Sequence, residues 1–170
     1  MKKLFALVVV LVLALSAVSA FAAEMNWSDV EETASQIEGD FVTFDEIAVK
    51  IWMPAVLQAV ELTDEDTQNG YIGYFMTEDE SAAVAVQYVN TDGMTLEEYA
   101  AQLEEAGLTG IETGTVNGLP CVSYDNPESD ATSISFTTEA GYILEVTCSP
   151  MSDEGFAATA TLIAASIQGE

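Results

Sequence analysis

Residues 117–148, NGLPCVSYDNPESDATSISFTTEAGYILEVTC, constrain the fold more than any other part of the chain. Asn117-Gly118 supplies two neighbouring residues that tolerate positive φ, which the two-residue turn of a tight β-hairpin requires. Three runs rich in β-branched and aromatic residues follow, at 119–125, 132–138 and 142–148. The loop at 126–129 with its Pro127 and a turn around Gly141 divide them. The pattern predicts an antiparallel meander that forms half of a larger sheet.

Upstream of this scaffold the chain opens with Lys2-Lys3, an apolar run over 4–18 and small residues ending Ala20-Phe21-Ala22. These are the three regions of a secretory signal peptide, and cleavage is expected after Ala22. The alternative is a retained anchor, since residues 4–22 come close to the length that spans a bilayer. No cysteine closely follows the apolar run, which argues against a lipid anchor at the junction. Residues 23–170 then form a single secreted domain, long enough to bury a core.

Charge narrows the partners. All twenty-nine acidic residues lie from Glu24 onward, so this domain sets one lysine, Lys50, against twenty-nine carboxylates, a net charge of −28. Nucleic acid is excluded, because its affinity depends on Lys and Arg at the phosphates. Anionic membrane surfaces are excluded for the same reason. A protein or small-molecule ligand of unknown identity is left, with cationic partners and weak divalent cation binding permitted. Acidic side chains also serve simply to keep a secreted protein soluble.

No histidine and no arginine occurs, so Ser-His, Cys-His and His-based zinc sites are ruled out, as are arginine clamps for anions. No Gly-rich phosphate loop is present. The residues therefore single out no catalytic, cofactor-binding or metal-binding position. Among twenty-nine acids some pair falls at any chosen spacing, so carboxylate pairs carry no signal for a glycosidase. TDEDTQNG at 63–70 resembles the start of a calcium loop, but its third ligand and glycine come one place late and no Glu closes it. Asp125, Asn126, Glu128 and Asp130 make a second oxygen-rich cluster; both stretches read as solvated turns. Lys50, in an apolar strand, suggests a ligand or Schiff-base lysine, or a stem laid along apolar surface with its ammonium paired to a carboxylate. The paired reading is preferred, because no acid–base partner can be identified.

In order, the chain predicts a helix over 28–37 with a Ser28/Glu31 capping box and Gly39 closing it. Strands at 41–44 and 47–53 follow around an Asp45-Glu46 turn, and Pro54 ends the second. An irregular turn or short helical piece at 55–62, a polar break at 63–70 and strands at 71–76 and 82–89 come next. Thr95/Glu98 caps a second helix that buries Leu96, Tyr99, Ala100 and Leu103, with Met94 stapled to Tyr99. A strand over 110–116 leads to the hairpin. Ser152 caps the last helix, Met151 staples to Phe156, and Phe156, Ala160, Ile163 and Ile167 make its stripe until Gly169.

Strands interrupted by one helix and closed by another predict an α+β fold, an antiparallel sheet flanked by helices on both faces. VKIWMP, the TLEEY helix, the VNGLP hairpin, the GYIL strand and the closing FAATATLIAASIQ helix together resemble the PsbP-like superfamily, over roughly 41–167. The last helix is similar to that of small secreted bacterial members. The resemblance implies an α/β/α sandwich and a non-enzymatic binding or accessory module. It carries no catalytic motif onto any residue here. The competing expectation is a secreted hydrolase with an unrecognised carboxylate pair.

Cys121 and Cys148 ordinarily invite a disulfide in a secreted chain. The meander predicts otherwise. If Val122 and Tyr124 face inward opposite Phe136 and Ile134, Cys121 faces away from Cys148 and lies some five residues off. Two buried, unpaired thiols are expected.

Overall fold

The computed structural model describes residues 23–44, 47–138 and 142–169. The signal segment, the Asp45-Glu46 turn and Gly141 lie outside them. The strands among the described residues are β1 (Ala23–Met25), β2 (Gly39–Phe44), β3 (Val49–Pro54), β4 (Gln58–Ala59), β5 (Tyr71–Met76), β6 (Ala83–Val89), β7 (Thr109–Val116), β8 (Leu119–Asn126), β9 (Ala131–Thr137), β10 (Ile143–Ser149) and β11 (Gln168–Gly169). The helices among the described residues are α1 (Trp27–Ala34), α2 (Asp64–Gln68), α3 (Leu96–Glu105) and α4 (Glu154–Ala165). Eight strands form one sheet in the order β1-β7-β8-β9-β10-β6-β5-β4, and β11-β3-β2 form a second.

The hairpin forms as its sequence predicts, with φ of +48° at Asn117 and +80° at Gly118 and Val116 opposite Leu119. Asn117 does more than turn the chain. Its side chain donates to the carbonyls of Ala165 and Ile167 at 2.8 Å each and accepts from the Trp27 amide at 2.8 Å. One turn residue thus ties the hairpin to the start of α1 and the end of α4.

The large sheet has two unlike faces. The inner face carries Cys121, Ile134, Phe136, Leu144, Val146, Cys148, Val84 and Val86 into one core with Ile51, Trp52, Leu162 and Ile163. α4 closes that face, touching β3, β10 and α1. Its residues Ala158, Ala160, Leu162, Ile163, Ala164 and Ala165 are all buried, so the helix is enclosed nearly all round. On the outer face α3 lies against β7 and β8, where Tyr99 and Leu103 meet Val122, Tyr124 and Ile143. Helices therefore flank the sheet on both sides, as the sequence predicts.

One register differs from expectation. Cys121 pairs with Phe136, Val122 with Ser135 and Ser123 with Ile134, so Val122 and Tyr124 face outward and Cys121 inward. Asp130 adopts a φ of +51° and is held through its carbonyl and carboxylate by the Met151 and Ser152 amides. The loop therefore closes one residue earlier than the alternation suggested. Both cysteines share the inner face, yet Cys148 lies opposite Thr132 and Asp125. Asp125 is four residues from Cys121, about 13 Å along the strand with two strand spacings of about 5 Å added sideways. That is far beyond the reach of a disulfide, and both thiols are free and buried.

Local corrections have similar causes. α1 starts at Trp27, with Asn26 at its cap and no capping by Ser28, because Asn117 takes the Trp27 amide. It ends at Ala34, and Gly39 belongs to β2. A Cβ on Gly39 would stand 2.6 Å from the Met53 carbonyl and 2.8 Å from the Trp52 ring, so glycine is there for close approach. The polar 63–70 stretch holds α2, started by a Thr63/Asp66 capping box. Pro54 stays paired, opposite Gly39, and β4 occupies part of the irregular 55–62 stretch. Asp153 caps α4 in place of Ser152, accepting from the Phe156 amide at 2.8 Å, since Ser152 is held by Asp130. The Thr95/Glu98 box is as expected. α4 stops before Ile167, and β11 returns to pair with β3.

Candidate functional site

The outer face buries a carboxylate. Glu145 sits mid-strand in β10, opposite Ser135 on one side and Gln87 on the other, and is only 8% exposed. Strand alternation turns Ser133, Ser135, Tyr124 and Thr147 to the same face, while the capping box at Thr95 positions α3 so that Tyr99 points down onto them. One oxygen of Glu145, Oε2, accepts from the Tyr124 hydroxyl at 2.6 Å, the Tyr99 hydroxyl at 2.8 Å and Ser135 Oγ at 3.0 Å. Thr147 Oγ1 approaches Oε1 at 3.5 Å and is itself 2.7 Å from Ser133 Oγ. Burial, and secondly the Glu145 carboxylate beside them, push both phenols well above the ordinary tyrosine range. They therefore remain protonated and keep donating.

Such an arrangement satisfies a buried charge. General acid–base chemistry needs a carboxyl within hydrogen-bond reach of a substrate, whereas this one is walled in by its own side chains. Among the described residues no three His, Cys, Asp or Glu side chains gather into a metal-holding group.

A second feature reaches solvent at one edge: Trp27 is half-buried and Phe41 exposed, over a Trp52 that belongs to the core. Trp27, the first residue of α1, stacks obliquely on Trp52 of β3 with ring centroids 6.2 Å apart. It also meets Phe41 of β2 edge-on at 5.4 Å, and Phe41 lies opposite Trp52 across the strand pair. Beside these rings is a shallow cavity of about 360 Å³ lined by Trp27, Trp52, Gly39, Glu31, Glu38 and Asp40. The bare Cα of Gly39 lets the backbone pass directly over Trp52. The three acidic residues are exposed.

Lys50 belongs to the same corner. Its ammonium lies over the Phe41 ring, 5.2 Å from the centroid, a cation–π contact. Among the described residues no carboxylate pairs with it, and Phe41 is its partner there; Asp45 and Glu46, close by in sequence, lie outside them.

The two oxygen-rich stretches are used internally. Asp66 caps α2, its carboxyl held below the usual range by the Thr63 hydroxyl and amide. Asp125 accepts from Thr132 Oγ1 at 2.6 Å, Asn126 accepts from the Glu128 amide at 3.1 Å, and Asp130 holds Ser152. The structure does not bring them together into one site. Sequence reasoning missed the Glu145 cluster and the tryptophan pair. The first left one signal, a single acid inside the apolar run ILEV; the second left none, because its rings come from residues 25 apart in different elements.

No family model matches the chain, and no curated protein matches it. Among solved structures it is similar to cyanobacterial PsbP from Synechocystis, with 13% identity, a TM-score of 0.57, and coverage of 79% of this chain and 94% of that one. A looser likeness, with 12% identity and a TM-score of 0.42, is to the Ran-binding protein Mog1p of Saccharomyces cerevisiae, over 78% of this chain and 96% of that one. The fold is PsbP-like, as the sequence resemblance implied.

Proposed function

We propose that this chain is an exported binding or accessory module with no catalytic chemistry of its own, released by cleavage after Ala22. One observation carries the reading: the interior carboxylate is consumed by its own hydroxyls, while the open cavity is walled by tryptophan and ringed by acids. A hydrolase would need two carboxyls converging on one substrate. Glu145 points to the outer face, and Glu112, whose Oε2 is buried without a partner among the described residues, shares the inner face with Ser123. They point away from each other.

With one lysine to offset its acids, the module's natural counterpart is a basic surface, drawn in by long-range attraction. The test uses the purified protein in two assays. Immobilised, it should retain basic proteins from the envelope extract of the producing cell more strongly than an equally charged protein of another fold. Offered ester, glycoside and peptide substrates, it should turn none over. Turnover abolished by Glu145→Gln or Glu112→Gln would overturn the reading in favour of the hydrolase.

A further inference from the structure

The rings of Trp27, Phe41 and Trp52 form a continuous aromatic cluster at the junction of α1, β2 and β3. An aromatic face carries negative potential and attracts cations, most strongly for tryptophan. The adjoining cavity adds Glu31 and Glu38 at its rim. Two observations beyond charge point to a cationic occupant. The cluster already holds one cation of the chain, Lys50, over Phe41 at 5.2 Å, beside the cavity. Gly39 keeps the Trp52 edge free of any Cβ at the cavity wall.

The cavity's shape selects the source of that cation. A free small molecule binds well when a pocket encloses most of its surface, and this one is shallow. A side chain projecting from a partner needs less enclosure, because the rest of the contact is made by the surrounding acidic surface. Arginine fits better than lysine. Its guanidinium is planar, stacks on indole and can meet carboxylates with paired N–H donors.

We infer that the Trp27–Trp52 cavity, with Glu31 and Glu38, seats an arginine side chain of a basic partner protein. The inference rests on the binding-module reading and names the partner chemistry at its site.

The test is direct, because both tryptophans of the sequence, Trp27 and Trp52, line this cavity, so intrinsic fluorescence reports on it. Purified protein is titrated with an octa-arginine peptide, an octa-lysine peptide and choline at one ionic strength. Octa-arginine should give a saturable change at several-fold lower concentration than octa-lysine, and choline should give none in the same range. Glu31→Gln/Glu38→Gln should weaken octa-arginine about tenfold, while Glu104→Gln/Glu105→Gln, which removes equal charge from the exposed end of α3, should weaken it less than twofold. Trp27→Leu should also weaken it about tenfold, read by calorimetry with a thermal melt to show that the variant folds.

Equal weakening by the two double variants would overturn the cavity and leave a module that binds through distributed charge. Choline saturating as tightly as octa-arginine would overturn the protein source in favour of a free organic cation. Failure of every cation to bind, with basic proteins still retained from the extract, would overturn the arginine seat and leave the module reading standing. Failure of both would remove the module reading as well.

Discussion

The inner and outer faces of the eight-stranded sheet are built from the same strands and solve different problems. On the inner face the alternate residues of β6, β8, β9 and β10 are mostly apolar, with Ser123 and Thr132 among them, and α4 seals them against the small sheet. On the outer face the alternate residues include Ser133, Ser135, Glu145 and Thr147, and α3 adds the Tyr99 hydroxyl. The inner face holds the domain together by removing apolar area from water, which is strong but tolerant of which atoms touch. The outer face depends on direction. A strand slipped by one residue would strand a charge in the interior, so the Glu145 network specifies register where apolar packing alone would not.

The largest effect should come from hollowing the inner face. Ile163 of α4 is fully buried, and Ile163→Ala should cost about 3–4 kcal/mol, the range for buried large-to-small changes. Urea unfolding measures it. A cost below about 1 kcal/mol would mean the helix relaxes into the space and the face is less closely packed than described.

Next come the hydroxyls of the outer face. Tyr124→Phe removes the shortest bond to Glu145, 2.6 Å, and should cost about 2 kcal/mol, typical for a buried hydrogen bond to a charged group. Tyr99→Phe should cost about as much. The double variant should depart from their sum, since both donate to one oxygen. Additive losses would show that the two hydroxyls act independently.

The same phenols set an alkaline limit. Their folded values lie above the ordinary phenol value of about 10, pushed up by burial and then by Glu145. The unfolded chain gives up these protons first. Their stabilisation is therefore complete below about pH 10 and is lost as pH rises beyond it. Stability should fall on that side more steeply in the wild type than in Tyr99→Phe/Tyr124→Phe. Parallel curves would place the alkaline sensitivity elsewhere.

Smallest is an effect on reactivity. Burial pushes the Cys121 thiol up to about 11 and the Cys148 thiol up to about 12, and both lie in the sealed inner core. Neither should react with a thiol reagent at neutral pH, and both should react on denaturation. Fast labelling of either in the native protein would show that the inner face opens readily.

The comparison also explains what the sequence reveals. Asn117-Gly118 was legible because only a few residues accept two consecutive positive φ values. The thiols were read correctly for spacing and wrongly for facing: the β8–β9 register hangs on Asp130 adopting a left-handed conformation, which no periodicity announces. α2 was illegible because DEDTQ has no apolar face; a capping box alone marks its start. Ser28 and Ser152 looked like caps, yet Asn117 and Asp130, 89 and 22 residues away in sequence, decide where α1 and α4 begin. Lys50 stands out as the one lysine after residue 22, while Glu145, one acid of twenty-nine, is hidden by number. Its donors are 10, 21 and 46 residues distant. Local pattern thus revealed the inner face of β9 and β10, while the facing of β8 and the outer network needed the fold.

On the proposed function the buried carboxylate is structural and the aromatic cavity is the working surface. Glu145→Gln tests it in one sample, by urea unfolding and by octa-arginine titration of tryptophan fluorescence. The expected result is a stability loss of about 2 kcal/mol, from weaker hydrogen bonds to a neutral acceptor, with affinity for the peptide unchanged. Wild-type stability together with lost binding would contradict it.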